Sequence, residues 1–134
     1  MKKTLFEGIA TALITPFKDG RVDYYSLSNL MEYQIYCGID ALVLCGTTGE
    51  SSVLSVAEHE SIIKYAIKVS DGRIPIIAGV GSNDYQKALK LAEFASKEGA
   101  DGVLAVTPYY NKATEKGILQ YYGGISSVAE CGVI

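Results

Sequence analysis

The sequence predicts an α/β fold, a parallel sheet with helices packed against it. Three patterns say so. Short apolar runs recur without strict polar alternation, which suits strands buried on both faces. Segments with apolar residues at helical spacing lie between those runs. The strand–helix unit repeats roughly every 30 residues, the size of a βα unit with its loops.

The first strand is read over residues 9–14, closed by Thr15-Pro16. Tyr24 to Tyr36 then places Leu27, Leu30, Met31, Gln34 and Ile35 at helical spacing. Residues 41–45 form the second strand. The helix over 56–69 carries Ile62, Ile63, Ala66 and Ile67 on one stripe. Its start, Ser55-Val56-Ala57-Glu58, is a capping box, in which serine accepts from a backbone N–H and glutamate reaches back. Residues 74–78 are the third strand. The helix over 83–98 buries Ala88, Leu91, Ala92 and Ala95 and stops at Gly99. Residues 103–106 are the fourth strand. A weaker helix runs from Thr114 to about Val128, because Gly123 and Gly124 each cost about 1 kcal/mol relative to alanine. Gly132-Val133-Ile134 opens a fifth strand.

About four and a half βα units extrapolate to about 250 residues for eight, the usual size of a closed (β/α)8 barrel. A doubly wound sheet uses the same right-handed crossovers, and periodicity does not choose between the two. No linker or low-complexity segment divides the chain, so 1–134 reads as a single partial domain.

The chain is 49% hydrophobic and 20% charged, as in ordinary soluble globular chains. Its net charge is −3 and no run of one sign appears. That argues against nucleic acid, whose phosphates want a basic stripe. A small anionic substrate remains compatible, because one local site can oppose the global charge. Met1-Lys2-Lys3 is basic, but Glu7 and Gly8 break the short apolar stretch after it, so no signal peptide is expected. No stretch approaches the roughly 18 apolar residues of a membrane span, and the cytoplasm is the expected compartment. Cys37, Cys45 and Cys131 match no zinc or redox spacing and are read as reduced, with Cys45 in the core.

Three loops could carry chemistry. Gly46-Thr47-Thr48-Gly49-Glu50 follows the second strand, at the strand end where both architectures place ligands. Its glycines allow a tight turn, and its N–H groups and hydroxyls can converge on a carboxylate. A plain capped βα turn is the alternative. It is not a phosphate-binding P-loop, since no lysine follows in frame. Thr107-Pro108-Tyr109-Tyr110-Asn111 follows the fourth strand, where a phenol can relay a proton or pack at a subunit interface. Ala78-Gly79-Val80-Gly81-Ser82-Asn83 is an incomplete dinucleotide fingerprint, with Asp84 in place of the last glycine. A tight turn with Ser82 or Asn83 as helix cap explains it better. His59, the only histidine, reads as a surface or interface residue, and no second soft ligand near it suggests a metal. Tyr121-Tyr122 reads as helix packing.

Together these segments resemble the dihydrodipicolinate synthase and N-acetylneuraminate lyase superfamily. The pieces are Ala12-Leu13-Ile14-Thr15-Pro16-Phe17, Gly46-Thr47-Thr48-Gly49-Glu50-Ser51, Asp71-Gly72-Arg73-Ile74-Pro75-Ile76-Ile77-Ala78-Gly79 and Val106-Thr107-Pro108-Tyr109-Tyr110-Asn111. Ser51 and the intact tyrosine loop look like the synthase branch. The resemblance implies the N-terminal half of a (β/α)8 TIM barrel, and a homotetramer built as a dimer of tight dimers. It implies condensation of pyruvate with aspartate β-semialdehyde through a lysine Schiff base, on the route to diaminopimelate and lysine. No metal or other cofactor is implied, because the imine is the electron sink.

By position, Thr48 resembles the residue that holds the pyruvate carboxylate, with Gly46 and Gly49 shaping the same loop. Thr47 and Tyr110 resemble members of a proton relay, Tyr110 reaching across the tight dimer. Ser51, Ser52, His59, Asn83, Lys87 and Tyr109 match a pocket where lysine inhibits the family. Lys87 stands where lysine-sensitive members tend to carry glutamate, and Val56 replaces a histidine. A positive charge would repel the inhibitor's ammonium, so weak or absent lysine inhibition is expected.

The second relay tyrosine belongs just past Ile134, and the Schiff-base lysine on the sixth strand. Lys64, Lys68, Lys87, Lys90 and Lys97 all fall on helices, outside such a barrel. Gly123-Gly124 and Gly132 also depart from the family's pattern. The chain alone is therefore expected to be truncated and inactive, with open sheet edges and an uncovered apolar interior. The alternatives are a lyase acting on N-acetylneuraminate or a 2-keto-3-deoxy sugar acid, and a non-catalytic, self-associating half-barrel.

Overall fold

The computed structural model describes residues 4–134, so the basic start Met1-Lys2-Lys3 lies outside the described residues. The elements are β1 (Ala10–Ala12), β2 (Phe17–Lys18), β3 (Arg21–Val22), α1 (Tyr24–Tyr36), β4 (Ala41–Leu44) and α2 (Val56–Ser70). They continue with β5 (Ile76–Gly79), α3 (Tyr85–Glu98), β6 (Gly102–Leu104), α4 (Glu115–Val128) and β7 (Gly132–Val133). Five strands form one sheet in the order β1-β4-β5-β6-β7, each pair parallel. A doubly wound sheet reverses strand order at a switch point. Here the order never reverses, and the sheet is the wall of a barrel.

Side chains divide the two faces of that wall. Leu42, Leu44, Ile76, Ala78 and Val103 pack outward in one core with Leu27 and Met31 of α1, Ile62 and Ile63 of α2, Leu91 of α3 and Ile125 of α4. Ala41, Val43 and Ile77 face the inside, where Leu5, Phe6, Ala10 and Leu104 pack on them. The expectation of an uncovered interior is thus corrected in part, since the segment before β1 folds over it. Every residue of β4 and β5 is buried. The first strand departs from the expectation of burial on both faces. Ile9 is 70% and Ile14 52% exposed, because β1 is an edge strand with one partner.

The caps explain where helices begin. Asp23 caps α1 and accepts from Ser26 N and Ser26 Oγ, which hold its carboxyl below the usual range. The capping box at Ser55 and Glu58 is present in both directions. α3 starts two residues later than the sequence pattern suggests, and its cap is neither Ser82 nor Asn83. Asp84 Oδ1 takes the N–H groups of Gln86 and Lys87 at 2.9 and 3.2 Å. Ser82 Oγ accepts from Asp84 N at 3.0 Å and so supports that cap. The β2–β3 hairpin was not anticipated. Asp19 and Gly20 both have positive φ, 51° and 74°, as a two-residue turn of this hand requires. Among the described residues no helix is long and apolar enough to cross a membrane.

α4 runs unbroken through both of its glycines. Tyr121 and Tyr122 do pack, as read from the sequence. Tyr121 Oη accepts from Ser82 N at 3.0 Å and Tyr122 Oη donates to the Ala105 carbonyl at 2.9 Å. Gly124 lies against the phenol of Tyr85, which a Cβ would strike, whereas a Cβ on Gly123 would meet nothing within 4 Å. The two glycines should therefore answer alanine with opposite signs. Gly123→Ala is expected to raise stability by about 1 kcal/mol. Gly124→Ala should lose that gain and cost about 1 kcal/mol or more through displacement of Tyr85. Urea titration followed by circular dichroism measures both, and equal gains would refute the Tyr85 contact.

Candidate active site

Parallel strands in a barrel wall all end on one side, so their following loops share a mouth. The loops after β4 and β6 meet there. A hollow of about 490 Å³ is lined by Thr47, Ser51 and Ser52 from one loop and Val106, Tyr109 and Tyr110 from the other. A narrower recess beside it is lined by Cys45, Gly46, Gly79, Gly81 and Leu104, among others.

Short hydrogen bonds shape the 46–50 loop. Glu50 N donates to Thr47 O at 3.0 Å and Ser51 N to Gly46 O at 3.3 Å. The N–H groups of Thr47, Thr48 and Gly49 have no acceptor among the described residues. Cys45 and Glu50 bracket the loop in left-handed conformation, with φ of 55° and 56°. Gly49 is pressed against the strand ends, where a Cβ would lie 3.1 Å from Leu13 O and 3.2 Å from Cys45 N. Thr15 Oγ1 donates to the Gly49 carbonyl at 2.7 Å. Three successive donors without acceptors, two on exposed residues and one on the buried Gly49, are the kind of backbone run that answers a small anion when the groups converge.

The floor is set by two more glycines. A Cβ on Gly79 would collide with the Cys45 carbonyl, and one on Gly81 with the Val106 backbone. The 78–83 segment thus uses glycine to bring strand ends together. Asp84 at the start of α3 puts a carboxylate where a dinucleotide would place its phosphates. Cys45 is 2% exposed and burial pushes its thiol up to about 12, so it is an unreactive part of the core.

The tyrosine loop is held differently. Asn111 Nδ2 donates to the Asn83 carbonyl at 2.8 Å, tying the loop to the turn before α3. Tyr110 is 96% exposed with φ of 64°, a left-handed conformation that is uncommon for a bulky residue and seen mainly at sites under constraint.

Not all residues singled out in the sequence come together. Thr47, Ser51, Ser52, Tyr109 and Tyr110 share the hollow. Gly46 lines the adjoining recess, while Thr48 is exposed and lines neither cavity, and Gly49 is buried. Asn83 lines a separate groove with Tyr85, Pro108 and Thr114. Lys87 is half-buried on α3. The reading of His59 as a surface or interface residue is wrong. It is 1% exposed, with Nε2 2.7 Å from the Gly79 carbonyl. A carbonyl only accepts, so Nε2 carries the proton, and Nδ1 is left buried without a partner. Sequence reasoning also passed over Thr15 as a site residue. Its only cue was a hydroxyl directly before the proline that ends the first strand.

Comparison with known proteins agrees with this geometry. The model of the dihydrodipicolinate synthetase family matches residues 5–134. A 4-hydroxy-tetrahydrodipicolinate synthase of Rhizobium meliloti is 48% identical over 130 residues, which are 97% of this chain and 44% of that protein. The crystal structure of dihydrodipicolinate synthase from Aquifex aeolicus superposes with a TM-score of 0.93 at 45% identity, over 96% of this chain and 44% of that one. A chloride-inhibited dihydrodipicolinate synthase from Acinetobacter baumannii, complexed with pyruvate, superposes with a TM-score of 0.90 at 44% identity, over 97% and 45%. The chain spans less than half the length of these relatives, and its sheet corresponds to half of their barrel.

His59 gives a pH test of the packing beneath the site. Desolvation lowers its pKa below the ordinary 6.5, the Gly79 hydrogen bond opposes this, and Lys87 lowers it further. The unfolded chain then binds a proton first as pH falls. Stability should decline as pH drops below 6.5 toward the depressed folded value, by up to about 1.4 kcal/mol per pH unit. The carboxyls of Asp23, Glu32 and Glu58, all lowered, take up protons only at lower pH. Urea midpoints between pH 7.5 and 5.5 should show the slope in the parent and lose it in His59→Gln. A slope of the same size in both would refute the assignment.

Proposed function

The chain belongs to the dihydrodipicolinate synthetase family, and from that premise we propose that it supplies the pyruvate-binding half of a cytoplasmic Schiff-base aldolase. The reaction in this reading joins pyruvate to aspartate β-semialdehyde and yields 4-hydroxy-tetrahydrodipicolinate, a precursor of diaminopimelate and lysine. The observation that carries the proposal is the shared hollow, where Thr47, in a loop with acceptor-free amides, faces two tyrosines.

The amides of Thr47, Thr48 and Gly49, with the Thr48 hydroxyl, hold the carboxylate of pyruvate. Charge-assisted bonds from several donors suit such a group. Gly46 and Gly49 let the backbone approach. A lysine amine attacks the ketone and forms the imine with loss of water. Loss of a methyl proton gives an enamine, which attacks the aldehyde carbon. Once the new C–C bond is made, the aldehyde substrate's own amino group closes the ring and displaces the lysine. Thr47 and Tyr110 pass protons during these steps. The imine accepts the electron pair, so neither metal nor cofactor takes part. No lysine lines the hollow or its recess among the described residues. The amine therefore comes from the part of the relatives' length that this chain does not span.

Tyr110 completes a partner's site across a tight dimer, and two dimers make a homotetramer. Its near-complete exposure and left-handed backbone support that role. Ser51, Ser52, Asn83, Lys87 and Tyr109 border the regulatory pocket, while His59 is buried and bonded to Gly79. Lys87 opposes a cationic inhibitor there, and inhibition by lysine is weak or absent.

Nuclear magnetic resonance can test the cradle on this chain alone. Titration with millimolar pyruvate should shift amides of residues 46–51 and 107–111 and leave the far ends of the strands unmoved. Thr48→Val should weaken that binding by about tenfold, the worth of one hydrogen bond to a charged group. Shifts confined to other surfaces would refute the site. Borohydride reduction with pyruvate should trap no adduct here, and a trapped lysine would overturn the placement of the imine-forming amine.

A further inference from the structure

Four polar residues are buried among the described residues: Thr15, His59, Ser70 and Ser82. Three of them serve their own neighbourhood. Ser70 Oγ donates to Ile74 O, Ser82 Oγ supports the α3 cap, and His59 bonds the end of β5. Thr15 alone reaches the 46–50 loop, across 34 residues of sequence.

The bond falls on one particular peptide. The plane between Gly49 and Glu50 has two polar ends. Its carbonyl takes the Thr15 hydroxyl at 2.7 Å, and its N–H donates to Thr47 O at 3.0 Å. That peptide is under tension, because Glu50 is left-handed at φ 56°. Turning the plane over would carry the φ of Glu50 to the negative side, which L-residues prefer. The turned peptide would also break the Glu50 N–H bond to Thr47 O and turn the Gly49 carbonyl toward the Thr47 carbonyl, unmaking the turn that carries the free amides. The strain at Glu50 thus favours a flip that would undo the loop, and the Thr15 hydroxyl, beside the Glu50–Thr47 bond, opposes it.

Thr15 is itself rigidly mounted. Pro16 restricts it to extended backbone. Leu13 N bonds Val43 O at 2.9 Å and Asp23 N bonds Pro16 O at 2.8 Å, one on each side of it. We propose that Thr15 is a positioning residue whose hydroxyl locks the Gly49–Glu50 peptide and so keeps the 46–50 loop in its anion-receiving form. This rests on the reading of that loop as the carboxylate cradle.

The test compares Thr15→Val, which keeps the volume and loses the hydroxyl, with Thr15→Ser, which keeps the hydroxyl. The readout is amide hydrogen exchange in the whole chain, together with pyruvate titration. Thr15→Val should speed exchange at Glu50 and Ser51 by about tenfold, leave β4 and β5 amides unchanged, and weaken pyruvate binding. Thr15→Ser should restore parental exchange. Unchanged loop exchange in Thr15→Val overturns the proposal. So does acceleration spread evenly over the sheet, or loss of the folded spectrum, since either makes the hydroxyl a requirement of the fold at large. A parent chain that binds no pyruvate sinks the cradle reading instead, and the exchange contrast still decides whether Thr15 holds the loop.

Discussion

The site exists because two strand ends touch backbone to backbone. Gly79 at the end of β5 lies so near the Cys45 carbonyl that no side chain fits between them. That approach sets where the 46–50 loop leaves the sheet. His59 secures it from the helix layer by bonding the Gly79 carbonyl. Gly81 repeats the device against Val106, which brings the tyrosine loop beside the threonine loop. Thr15 then ties the far side of the turn to the exit of β1. The shape of the mouth is thus a product of main-chain packing, with side chains acting as struts.

Much of this was legible in the chain itself. Parallel strands buried on both faces follow from apolar runs too continuous for a one-sided sheet, and four helices from apolar stripes, with the Ser55 capping box and Gly99 marking two of their ends. What periodicity left open, barrel or doubly wound sheet, was settled by an order that never reverses. The convergence of the two loops was also foreseeable, since parallel strands send their C-terminal ends to one side.

The misses have separate causes. His59 sits at a position whose burial depends on α2 settling over β5, a long-range fact that local pattern does not contain. Ser82 looked like a cap because it precedes a helix, yet Asp84 stands nearer the first free N–H groups and wins. The Asp19-Gly20 hairpin is different, because its turn chemistry was plain in the sequence and only its short strands concealed it. Gly123-Gly124 looked like damage to a helix, whereas Gly124 answers a tyrosine brought in from α3. Tertiary contact decided the cases of His59 and Gly124 over local propensity.

Leu5 and Phe6 close the inner face by lying on Ala41, Val43 and Ile77, and Leu5 also abuts Gly102. These are pairings between the segment ahead of β1 and strands that follow it at a distance in sequence. Synthesis runs toward the C-terminus, so on the ribosome Leu5 and Phe6 emerge before the strands that they cover. Contacts of such long sequence separation form slowly, and until they form the inner face is bare to other nascent chains. Sequence separation of this size therefore predicts late closure of the inner face by the segment ahead of β1.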